Sequence, residues 1–226
     1  MKVAILGNSH VACLIMAHRQ DPSLLGTDID PVFFAAPGKG MSGMQLDGDR
    51  LVPASSELKD QIALTSGGLD AIRLPDFEAF ILIAMGYMVP MVPRSYSSAV
   101  IGKAMDRRIA NSILWQLADR ISEASDKPVL CGHIPLSADA GVQDDLLSYE
   151  EVMALYGDRV EQRGLSLIRQ PEETRRDDLF TKAEFTKGSR RLRSEDVHPE
   201  DDISHMNAEY GAIYLRHCAT LLRQSA

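Results

Sequence analysis

The chain has 226 residues, of which 45% are apolar and 25% charged, and its formal net charge is −8. That length suits one α/β domain spanning residues 1–226 with a well-buried core, and two domains would stretch it. The acidic field disfavours nucleic acid or an anionic membrane as partner, and no apolar run reaches the roughly eighteen residues of a membrane span.

Lys2 to Leu6 is a short apolar run ending at Gly7, which reads as a buried parallel strand. Ser9 then opens a helix to about His18, with Val11, Leu14, Ile15 and His18 on one face, and Asp21-Pro22 stops it. Asp30 to Ala36 gives a second strand, closed by Pro37-Gly38-Lys39-Gly40. Between Met41 and Asp76 the short apolar runs, Leu51-Val52 and Ile62-Ala63-Leu64 among them, predict small hairpins or loops without strong periodicity. Phe80 to Met85 is the clearest central strand, ending at Gly86. One long helix is expected from about Ser98 to Ser125, then a fourth strand over Pro128 to Gly132. Ser148 and Glu151 have the spacing of a capping box and open a further helix. The chain is polar from Gln170 to Glu200, and a last helix runs from about Met206 to Arg223. Strands alternating with helices predict a three-layer α/β sandwich around a parallel sheet, with the ligand crevice at the carboxyl ends of the strands. Ser9, Gly38, Gly40 and Gly86 all fall at such ends.

Two segments carry the chemistry. Gly7-Asn8-Ser9-His10 places a serine where a strand turns into a helix, whose N-terminus aims N–H groups and partial positive charge at the same spot. That suits a nucleophile that generates an oxyanion, although a serine there can equally serve as a helix cap. Asp202-Ile203-Ser204-His205 supplies a base with an orienting carboxylate on the same turn. The plainer alternative is a polar turn in which Asp201 or Asp202 caps the last helix.

Together these blocks resemble those of the SGNH (GDSL-type) hydrolase superfamily, with the nucleophile after the first strand and the base just before the last helix. The resemblance implies a flavodoxin-like SGNH hydrolase fold, with Ser9 as nucleophile, His205 as base and Asp202 as orienter. It also implies an oxyanion hole from the amides of Ser9 and of Gly38 or Gly40. Glu195-Asp196-Val197-His198 has a similar spacing and makes His198 the reserve base. The family places Gly-x-Asn-Asp after the third strand; this chain has Gly86-Tyr87-Met88 there, and its asparagines are Asn8, Asn111 and Asn207. It therefore resembles a divergent member lacking one oxyanion donor, a loss that typically costs about a hundred- to a thousandfold in turnover. Tyr87, or a backbone amide, is the expected substitute, and His10, Gly86 and Tyr87 are candidates to line the pocket.

No metal or cofactor is expected. His198, Asp202 and His205 are spaced for a metal, but Pro199 argues against the long helix that would gather them. Gly38-x-Gly40-x-x-Gly43 imitates a dinucleotide loop but lies after the second strand and before a poor helix start. Cys13, Cys131 and Cys218 read as buried thiols rather than a disulfide framework, which fits the cytoplasm. The expected function is a serine esterase or deacylase for an acyl ester, notably acetyl, of a small molecule or carbohydrate. Acyl transfer would use the same residues, and a non-catalytic carbohydrate- or partner-binding module is the alternative from another class. Oligomeric state is open.

Overall fold

The apolar runs pair as parallel strands in a computed structural model that describes residues 1–138, 145–194 and 196–225. Strand β1 (Lys2–Gly7) leads through a 3₁₀ turn, Ser9–Val11, into α1 (Ala12–Gln20), and β2 (Asp30–Ala35) follows. Next come β3 (Met44–Asp47), β4 (Arg50–Pro53), α2 (Ser56–Ser66), β5 (Ile72–Arg73) and β6 (Ala79–Ile83). The second half holds α3 (Ser98–Asn111), α4 (Ile113–Ala124), β7 (Val129–Gly132), α5 (Tyr149–Glu161) and β8 (Ser166–Ile168). It ends with the short ribbon β9 (Arg175–Arg176) and β10 (Phe180–Thr181), and then α6 (Ala208–Ser225).

The main sheet has the order β2-β1-β6-β7-β8, and every neighbouring pair is parallel. Counting only its own strands, this is the 2-1-3-4-5 order of flavodoxin-like folds. Strand alternation divides the core between the two faces. Val3, Ile5 and Ile81 pack with Leu14, Leu215 and Cys218 of α1 and α6. Ala4, Leu6 and Phe80 face the other way, toward Ile62, Met105, Leu117 and Tyr156 of α2 to α5.

Three sequence expectations change. Ile62-Ala63-Leu64 lies in α2, a helix inside the region read as hairpins and loops, capped by the Ser55 hydroxyl on the Leu58 amide and stopped at Gly67. The expected long helix is two, because Ser112 adopts an extended conformation and turns its hydroxyl to the Met85 carbonyl. A fifth sheet strand, β8, lies within a stretch read without one. The capping box of Ser148 and Glu151 is present as expected.

Two glycines bring α6 onto the sheet. A Cβ at Gly211 would sit 2.1 Å from the Cys13 carbonyl oxygen, so α1 and α6 approach at backbone contact. At Gly132 a Cβ would lie 2.1 Å from the Tyr214 hydroxyl, so that glycine makes room for a large α6 side chain. The chain segment preceding α6 is thereby carried to the carboxyl ends of β1 and β7.

Candidate active site

Ser9 stands on a turn that only glycine permits at its start. A Cβ on Gly7 would meet Val11 Cγ2 at 2.2 Å and the Ile83 carbonyl at 2.9 Å. Asn8 caps the turn, its side-chain oxygen accepting the His10 amide at 3.2 Å. Capping therefore falls to Asn8 and leaves the Ser9 hydroxyl available. Ser9 Oγ lies 3.2 Å from His205 Nε2, across 196 residues of sequence.

Asp202 builds the turn that holds His205. Its Oδ1 accepts the amides of Ser204 (2.8 Å) and His205 (2.9 Å) and the Ser204 hydroxyl (3.2 Å). Its Oδ2 faces His205 Nδ1 at 2.9 Å. A carboxylate can only accept, so Nδ1 carries the proton and Nε2 presents its lone pair to Ser9. Burial opposes ionisation of Asp202, but the hydrogen bonds from His205 and Ser204 outweigh it and hold the carboxyl well below its usual range. The last helix is capped by Asn207, whose side-chain oxygen accepts the Tyr210 amide. Neither Asp201 nor Asp202 serves as that cap.

His205 is the middle of three stacked imidazoles. His10 lies on one face, with ring centroids 4.9 Å apart and planes within 16°, and His198 on the other, at 4.1 Å and 9°. His198 Nδ1 also approaches Asp202 Oδ2 to 3.2 Å. Burial first, and then the nearby His205, pushes the His10 pKa from 6.5 down to about 3, so His10 stays neutral. Burial and His205 lower His198 as well. His10, expected as a pocket or surface residue, is instead a neighbour of the base. His198 joins the site without facing Ser9, and Glu195, the first residue of its block, lies outside the described residues.

His198, Asp202 and His205 bring ligand-type atoms within 4.8 Å of one another. Their geometry is nevertheless poor for a metal. An ion bound at about 2.0–2.1 Å lies near the plane of each imidazole, and two parallel stacked planes share no such point.

The remaining candidates separate. Gly38 is exposed with a left-handed φ of 59°. Gly40 donates its amide to the Pro37 carbonyl at 3.1 Å, so its N–H closes a local turn and is not available to an oxyanion. Gly40–Gly43 is a 3₁₀ turn leading into a strand, not the helix a dinucleotide loop requires. After β6, Ala84, Met85 and Gly86 carry φ values of 67°, 42° and 83°. A left-handed non-glycine residue costs roughly 1–2 kcal/mol, and this turn is held by several bonds. Ala84 donates to the Gly132 carbonyl, and Leu114 N and Ser112 Oγ both reach the Met85 carbonyl. The result corrects one expectation: Tyr87 turns inward. It is 2% exposed and packs edge-on against Trp115, His133 and Tyr156, so it belongs to the core and not to the pocket. Gly86 is exposed at the turn, and Met88, next after Tyr87, points outward with 53% of its surface exposed.

All three cysteines are free and buried, and among the described residues no helix is long and apolar enough to cross a membrane. No family model matches the chain, and no curated protein sequence does. Among solved structures the chain is similar to the periplasmic domain of a lipopolysaccharide acetyltransferase from Salmonella ser. Paratyphi A. That similarity has 13% identity and a TM-score of 0.44, covering 95% of this chain and 80% of the other. It is also similar to a carbohydrate acetylesterase family member from Sinorhizobium meliloti, with 11% identity and a TM-score of 0.45, covering 100% and 99%. Likenesses this low leave the chemistry to be argued from the residues themselves.

Proposed function

We propose that the protein is a serine-dependent acyl-ester enzyme of the SGNH type in which Ser9, His205 and Asp202 form the catalytic triad. His205 Nε2 takes the Ser9 proton as Oγ attacks the ester carbonyl, and Asp202 balances the imidazolium that forms. The amides of Ser9 and Gly38 are the proposed donors to the tetrahedral oxyanion. His205 then returns its proton to the leaving alcohol, and water releases the acyl group from Ser9 by the reverse sequence. A second alcohol in place of water would make the same steps a transfer.

The neutral faces of His10 and His198 bracket His205 and favour the cation formed in both half-reactions, in the manner of a cation on an aromatic face. The observation that supports this reading best is the Ser9–His205–Asp202 chain of contacts at 3.2 and 2.9 Å. Turnover of p-nitrophenyl acetate by wild type and by Ser9→Ala tests it. The expected result is loss of turnover in the variant, and equal rates would remove Ser9 from the mechanism.

A further inference from the structure

The loops leaving β6 and β7 line a cavity of about 310 Å³. Met88, Met91, Ile134, Leu136 and Leu179 are among its lining residues. A second hollow of about 150 Å³ adjoins it, sharing Pro90, Met91 and Arg108. Both have mainly apolar linings, and their rims expose Met88, Met91, Tyr96 and Val100, each at 36% or more. These are half of the large apolar side chains exposed among the described residues, gathered within thirteen positions. Such a concentration marks a binding surface.

The cavity is joined to the triad by two contacts. Pro135, in its wall, also borders a small void of about 10 Å³ beneath His10, whose ring stacks on His205. Ser137, also in the wall, donates its hydroxyl to the Ile203 carbonyl at 3.5 Å, and the Ala138 amide donates to the same oxygen at 2.9 Å. Ile203 directly follows Asp202. One wall of the cavity therefore anchors the catalytic turn.

We propose that this cavity receives an apolar chain of the ester, longer than the methyl of an acetyl group, and so sets the substrate class. The proposal rests on the triad reading above. The volume is that of a site for a small organic group, and a lone methyl would leave most of it empty. Flexible methionines at the mouth suit a range of chain shapes.

The experiment measures kcat/KM for p-nitrophenyl acetate, butyrate, hexanoate and octanoate, and separately for acetate esters of ethanol, butanol and hexanol. Wild type, Ser9→Ala and the double variant Met88→Glu/Met91→Glu are compared, with circular dichroism to check folding. Both methionines are exposed, so the double variant should fold. An acyl occupant predicts a rise of roughly fourfold per methylene in the first series, the factor given by about 0.8 kcal/mol per buried methylene. An alcohol occupant predicts that rise in the second series. Either slope should flatten in the double variant. If Ser9-dependent turnover is flat or falls with length in both series, the cavity proposal is overturned and the triad stands. If no ester shows Ser9-dependent turnover, the triad reading fails, and calorimetric titration with octanoate decides the cavity independently. Binding to wild type that weakens at least tenfold in the double variant upholds it, and no binding to wild type overturns it.

Discussion

Asp202→Asn is the sharpest test of how the base is prepared. The substitution preserves shape, but the site dictates which way the amide faces. The Oδ1 position receives two backbone amides and the Ser204 hydroxyl, so an oxygen must stay there. The new NH₂ then takes the Oδ2 position, 2.9 Å from His205 Nδ1. Two donors cannot face each other, so Nδ1 loses its proton and Nε2 gains one. The hydrogen on Nε2 now points at Ser9, and the base cannot accept the serine proton. The charge-assisted bond is worth about 1.5–3 kcal/mol, and returning the imidazole to the reactive tautomer would set two donors against each other at a further cost of about 1–3 kcal/mol. Together these predict roughly a hundred- to ten-thousandfold loss in kcat/KM, with the upper end matching the effect of the same change in a serine protease triad. p-Nitrophenyl acetate kinetics on a variant with wild-type circular dichroism would measure it. A loss smaller than tenfold would refute the tautomer argument.

Two further outcomes follow from the histidines. His198→Ala should lower kcat/KM roughly two- to tenfold, the scale of one aromatic stacking contact, and His198→Phe should restore most of it by replacing the ring face. A loss above a hundredfold in His198→Ala would instead make His198 the base, and failure of phenylalanine to rescue would move its role to the Asp202 contact. His133, together with the buried His10, makes stability sensitive to acid. It is buried with its ring nitrogens on the Tyr149 hydroxyl and the Ile134 carbonyl, and burial pushes its pKa from 6.5 down to about 4. Below pH 6.5 the unfolded chain therefore binds a proton that the folded chain refuses, so stability falls with acidification until about pH 4. His133 contributes about 1.4 kcal/mol per pH unit to that slope, and His10 adds a similar share over the same range. Urea unfolding at pH 7, 6 and 5 should show a shallower dependence in His133→Gln, and equal slopes would contradict the assignment.

The sequence made the strands of the sheet centre legible because Val3 to Leu6 and Phe80 to Met85 are continuous apolar runs, as strands buried on both faces must be. Helix α2 was obscured because its buried face is narrow, only Leu58, Gln61 and Ile62, while Leu64 points to solvent at 61% exposure. The break at Ser112 was hidden for the opposite reason, since apolar residues continue on both sides of it. In the site, Ser9, Asp202 and His205 were identifiable because their local turn chemistry is written in adjacent residues. His10 and His198 stand out in the sequence as a pocket residue and a reserve base, but their stacking on His205 was not legible. His198 reaches it through the local turn around Asp202, and His10 across the fold from the turn after β1. Tyr87 and Gly40 misled because their residue types suited an oxyanion site, whereas backbone strain and a local hydrogen bond commit them elsewhere.

Ser9, if it is a nucleophile activated by His205, should react covalently with an electrophilic phosphorus. Incubation of the folded wild-type protein with a fluorophosphonate probe, followed by mass mapping of the adduct, tests this most directly. A single adduct on Ser9 is expected, absent from Ser9→Ala and strongly slowed in His205→Ala. No labelling of the wild type, beside a serine esterase that labels under the same conditions, would contradict it.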